Sequence, residues 1–165
     1  MKTTMKWTGL VDFKCFDKDG KLKWEENDLH NALADEGEYA FLDVFLRAGT
    51  APTTFYLRLF NDTPVETDTL ATLTGEPSGY GYAAQEIPRT TGGWTTLALD
   101  SGDYMATSTT ETFTASGGSI GPVTYAVLAT TSDNTGKLIS FVALSQSRTL
   151  SSGDSLQVTY KVKLQ

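Results

Sequence analysis

"PVTYAVLATTSDNTGKLISFVALS", residues 122–145, holds two apolar runs on either side of a polar, glycine-bearing break. The runs, 122–130 and 138–145, are short and rich in β-branched and aromatic residues, and both read as strands. The pattern repeats outward from this pair. Upstream lie "GYAAQEI" (81–87), "TTLALD" (95–100) and "YMATSTTETFTA" (104–115), and downstream lies "DSLQVTYKVKLQ" (154–165). The loops "TTGGW", "SGD", "SGGSIG", "DNTG" and "SSGD" separate them. Regular short strands divided by such turns suggest a β-sandwich or barrel. Composition agrees, because 26 of the 165 residues are threonine, which suits a pleated, half-exposed surface better than a helix.

The first third of the chain is more varied. "WTGLVDFKCF" (7–16) places Leu10 and Asp12 opposite Val11, Phe13 and Cys15. "DKDG" and "KLKWEE" follow it, which predicts strand, tight turn and strand. "DEGEYAFLDVFLRAG" (35–49) is the one convincing helix, with Asp35 as its cap, Glu38 three residues on, and Arg47 and Gly49 at its close. Its apolar residues run around most of its girth, so the reading is a helix covered by protein on more than one side. "TFYLRLFND" alternates Phe55, Leu57 and Leu59 with Tyr56, Arg58 and Phe60, and a single helical turn is expected within 68–73. The expected fold is therefore mainly β: one domain over 1–165, an antiparallel, jelly-roll-like β-sandwich with one mostly buried α-helix near 35–47. An N-terminal hairpin within 1–27 is expected as a peripheral arm.

Charge and cysteine content narrow the functional classes. A net charge of −7, with Lys137 the single cation between residues 90 and 147, leaves no basic patch for nucleic acid. Cys15 stands alone, so no intrachain disulfide forms. The N-terminal stretch "MKTTMKWTGLVDFK" has no apolar signal core, and no run is long enough to span a membrane. A virus particle released by lysis meets all these constraints.

Each motif that suggests chemistry is undercut by its surroundings. "GGSIG" (117–121) matches a nucleophile elbow at Ser119, but strands flank it and the only histidine, His30, precedes it. It reads instead as a β-hairpin loop. "CFDKDGKLKWEE" aligns Asp17, Asp19, Gly20 and Glu26 with a calcium loop, yet Cys15, Lys21 and Lys23 occupy positions that need oxygen ligands. His30 lacks the partners of a zinc site. Glu86 and Glu111 would make a glycosidase pair only if they faced one cleft. No metal, cofactor or catalytic residue is expected. Tyr80, Tyr82 and Trp94 are the candidate binding residues, with core filling as their competing use.

Several stretches together resemble the small virion structural proteins of tailed bacteriophages: "LHNALADEGEYAFLDVFLRAG", "FYLRLFNDTPVETDTLATL", "EPSGYGYAAQEIPR", "TFTASGGSIGPVTYAVLA" and "LSSGDSLQVTYKVKL". The resemblance covers about residues 28–165 and departs from the pattern at Ala84, where an arginine is expected. It implies a non-enzymatic virion component that works as a homo-oligomer, often a trimer, in contact with other virion proteins. Capsid decoration on the major capsid protein is the first expectation, because the chain has no fibrous or coiled-coil segment. The alternative is a tail or fibre module that binds a host receptor or carbohydrate.

Overall fold

The structure, a computed structural model, describes residues 7–164. The alternation at the start becomes strand β1 (Trp7–Phe16), whose Val11, Phe13 and Cys15 are fully buried. The chain then turns back into β2 (Leu22–His30). Asp17 Oδ1 accepts bonds from the Asp19 and Lys21 amides, both at 2.9 Å, and Gly20 takes φ +77°. A residue without Cβ adopts that angle at least cost. The bond from the Lys21 amide is the main reason the Asp17 carboxyl titrates below its ordinary range.

Eight more strands complete two antiparallel sheets: β3 (Ala32–Leu33), β4 (Thr54–Phe60), β5 (Gln85–Pro88), β6 (Thr96–Asp100), β7 (Asp103–Thr114), β8 (Ile120–Ala129), β9 (Leu138–Leu150) and β10 (Ser155–Leu164). One sheet runs β2-β1-β10-β7-β6 and the other β3-β9-β8-β4-β5. Phe13, Phe113, Val158 and Tyr160 of the first meet Leu57, Ile87, Leu128 and Val142 of the second in one shared core. Burying each such side chain contributes about 1.5–3 kcal/mol.

This order corrects several sequence readings. The N-terminal hairpin is no arm, because β1 lies between β2 and β10 and supplies core residues; residues 1–6 of that expected arm lie outside the described residues. Successive strands stay within one sheet in the pairs β1–β2, β4–β5, β6–β7 and β8–β9, where a jelly-roll wrap would alternate between sheets. "GGSIG" is not a hairpin loop, since β7 and β8 belong to different sheets and the segment carries the chain across. Residues 81–84 lie outside any strand, and β5 is confined to 85–88.

The helix, α1 (Asp35–Leu46), follows β3. Its cap is Ala34 rather than Asp35, and Asp35, Glu36 and Glu38 place negative charge in the first turn, where the helix dipole favours it. Glu36 Oε2 accepts the amides of Leu70 (3.0 Å) and Leu138 (2.7 Å), tying the helix to its neighbours. A Cβ on Gly37 would sit 2.1 Å from the Ile139 carbonyl oxygen, so glycine lets α1 lie close on β9. The expectation of a mostly buried helix fails: Gly37 is its one buried residue, and Leu42, Phe45 and Leu46 are exposed. Only one side of the helix has a sheet to rest on.

The segment between β4 and β5 covers the outer face of the second sheet. Leu70 and Leu73, in and beside a 3-10 turn at Leu70–Thr72, pack with Phe60, Val127 and Leu138 in a second cluster. That layer buries both faces of β4 from Leu57 to Phe60, although its sequence alternates.

Glu26 clasps one sheet to the other. Its carboxylate accepts from the Ser145 amide (2.8 Å) and hydroxyl (2.9 Å) and from Arg148 Nη2 (2.6 Å), while the Arg148 guanidinium lies 4.3 Å over the Trp24 ring. Burial pushes the Glu26 carboxyl up, but the bonds from Arg148 and Ser145 outweigh it and hold the group below its ordinary 4.5. A depressed carboxylate stabilises the fold above its unfolded pKa, and that contribution is lost as pH falls through the folded value. In thermal melts, the gap between wild type and Glu26→Gln should be widest near neutrality and close as pH falls below 4.5. A gap independent of pH would contradict this role.

Candidate interaction surface

The three aromatics singled out from the sequence do not form one site. Tyr82 stacks on Phe113 (5.8 Å, 9° between planes), accepts the Leu59 amide at 3.0 Å and donates to Glu76 Oε1 at 2.7 Å. Burial, then the neighbouring Glu76 carboxylate, raises its pKa, so the hydroxyl keeps the proton it donates. Trp94 packs edge-on to Phe55 and Tyr160. Tyr80 is the most exposed of the three, at φ +52° beside Gly118, where a Cβ would collide with its ring at 2.2 Å.

Tyr82 also belongs to a buried polar network that the alternation of β4 concealed. Arg58 is 1% exposed. It donates to Glu76 through Nε (2.9 Å) and Nη2, to the Asp133 carbonyl (2.7 Å) and to Asn134 Oδ1 (2.7 Å), with its guanidinium 5.1 Å over Phe60. Four donated bonds satisfy a charge that burial would otherwise penalise heavily.

The candidate acids do not face one another. Glu86 alternates with buried Ile87 and projects outward from the second sheet. Glu111 pairs with Val158 on the inward row of the first sheet and accepts from Thr109 Oγ1 at 2.6 Å. Ser119 is exposed in the crossing between sheets, and His30 is exposed at the end of β2. Among the described residues, no group of His, Cys, Asp and Glu is arranged to hold a metal ion, and no helix is long and apolar enough to cross a membrane.

Exposed apolar surface is the more informative feature. Tyr39, Leu42, Phe45 and Leu46 line the outer arc of α1, with Phe45 75% exposed and stacked on Phe41. Phe41 meets Trp7 edge-on, and Trp7 lines a groove of about 270 Å³ between α1 and Phe55. Trp7 also borders a second groove, of about 260 Å³, with Trp94, Ala106 and Val162. Register extends this surface onto the first sheet's inner face: Leu97 pairs with Ala106 and Leu99 with Tyr104. Leu97, Leu99 and Tyr104 are 73%, 64% and 60% exposed. The first sheet therefore overhangs the core at this end, and the apolar surface runs from α1 past Trp7 to β6. Patches of this kind mark contact sites.

No curated protein matches the chain. A family model does, that of the podophage GP4 fiber I protein gp80, over residues 32–162. The match takes in α1 and every strand from β3 onward, except the last two residues of β10. The family is one of phage fibre proteins and lends no support to capsid decoration in particular. With most of its sandwich inside that match, the chain belongs to the podophage GP4 fiber I protein gp80 family and is a virion structural protein.

Proposed function

We propose that the chain is a building element of a podophage tail fibre, joined to its neighbours through the apolar end of the sandwich. The observation that carries this reading is the exposed apolar side chains at this end, Leu42 and Phe45 of α1 and Leu97 and Leu99 of β6, together with the two apolar grooves that meet at Trp7. Assembly would bury it and stabilise the bound state by mass action. Bond-making chemistry plays no part in this reading. The neighbours are further copies of the chain and other tail proteins rather than the major capsid protein, and Tyr80 lies outside the proposed contact.

Heads and tails separated from purified particles test the assignment. The chain should travel with the tails at a low copy number. Recovery with the heads, in amounts comparable to the major capsid protein, would restore capsid decoration and overturn the fibre reading. If the isolated chain binds host cells or glycans, it also carries the receptor-binding role of a fibre.

A further inference from the structure

The outer edges of the two sheets are closed in different ways, with one exception. β2 carries Lys23, Glu25, Glu26 and Asp28 and breaks register twice against β1. β5 is four residues long and ends at Pro88, and β3 has only two residues. Where neighbouring strands fall short, other groups fill in. Glu26 takes the Ser145 amide of β9, Tyr82 takes the Leu59 amide of β4, and the Gly93 carbonyl takes the Thr109 amide of β7 at 2.7 Å. Charges, prolines, bulges and covering groups are how sheets prevent edge-to-edge pairing. β6 has no proline, no bulge and no covering group. It pairs with β7 without a register shift, all five of its residues are exposed, and Asp100 is its single charge.

We infer that β6 is a docking edge for β6 of a second copy of this chain, forming an antiparallel pair centred on Ala98. The sequence of the strand selects this partner and direction. Antiparallel pairing about Ala98 sets Leu97 opposite Leu99 of the other copy, twice, and Thr96 opposite Asp100, so no like charges face each other. A parallel pair would set Asp100 against Asp100. Asp100 is already held by Lys163 Nζ at 3.1 Å. Leu97 and Leu99 share one face, so the pair brings four leucines together across the seam, within reach of direct and diagonal contact. The contact is isologous, as a two-fold axis requires. It turns two five-stranded sheets into one of ten strands. The inference concerns the isolated chain and does not depend on where the particle holds it.

Sedimentation and oxidative cross-linking test the pairing. Wild type should sediment at twice 17.9 kDa. Leu97→Lys/Leu99→Lys should return it to 17.9 kDa and melt at the temperature of wild type diluted to the monomer, because both side chains are exposed in the single chain. Ala98→Cys should cross-link to a covalent dimer under mild oxidation, since directly opposed Cβ atoms stand about 4.5–5.5 Å apart. Thr96→Cys should not, because its own counterpart lies four residues further along the pair. Native Cys15 is fully buried and will not interfere. A monomer at high concentration, a three-fold assembly, or equal cross-linking at positions 96 and 98 would overturn the inference. So would a monomer whose β6 amides become protected only in the particle, which would assign the edge to a strand from a different protein.

Discussion

Replacing Arg58 with alanine should cost the fold about 3–5 kcal/mol, the usual penalty for removing one partner of a buried ion pair. For a chain of this size that is a fall in melting temperature of about 6–20 °C. The substitution removes the cation that faces Glu76 and takes a donor from the Asp133 carbonyl and the Asn134 amide oxygen as well, leaving Glu76 with Tyr82 and Asp133 with Thr131, and it leaves a cavity beneath Phe60. Glu76→Ala should cost less. The Glu76 side chain is 24% exposed, and Arg58 would keep its bonds to Asp133 and Asn134. Thermal denaturation of the two variants checks both the size and the order of the losses. A drop below about 2 °C for Arg58→Ala, or the reverse order, would contradict the role given to this network.

Phe45→Lys should have the opposite profile. Phe45 is 75% exposed and loses only its stack on Phe41, worth about 0.5–1.5 kcal/mol. A cation in the last turn of α1 recovers part of that through the helix dipole, since the turn has no basic residue. The melting temperature should therefore move by no more than about 3 °C. Assembly should suffer far more, because a buried aromatic anchor is commonly worth 2 kcal/mol or more at an interface, roughly a 30-fold loss in affinity. Incorporation into particles, measured against wild type expressed beside it, gives the readout. Equal incorporation would remove the α1 face from the interface.

Much of the architecture was legible in the sequence because its signals are local. The alternation of Val11, Phe13 and Cys15, the Asp17–Gly20 turn, and the runs at 122–130 and 138–145 each specify an element through neighbouring residues. Several of the failures concern what covers an element, which depends on distant segments. Arg58 looked like the polar side of β4 because nothing in "TFYLRLFND" shows that residues 61–76 fold over it. The apolar residues of the helix surround it, which predicts burial on more than one side. Within the chain that cover is present on one side only. The same surplus could have flagged an interface, as could the two leucines of "TLALD" in a strand that proved to be an edge. Tyr80, Tyr82 and Trp94 are alike in residue type, and only the fold separates Tyr82, bonded to Leu59 and Glu76, from exposed Tyr80.

Footprinting of the intact particle puts the proposed role of the apolar end to an immediate test. Side-chain oxidation and amide exchange would be compared between the isolated chain at high dilution and the same chain within purified virions. Phe45 and those amides of β6 that point away from β7 should be accessible in the first and strongly protected in the second, while Tyr80 changes little. Equal reactivity of Phe45 and β6 in both states would mean that this surface faces solvent in the virion and that the chain is held there by something else.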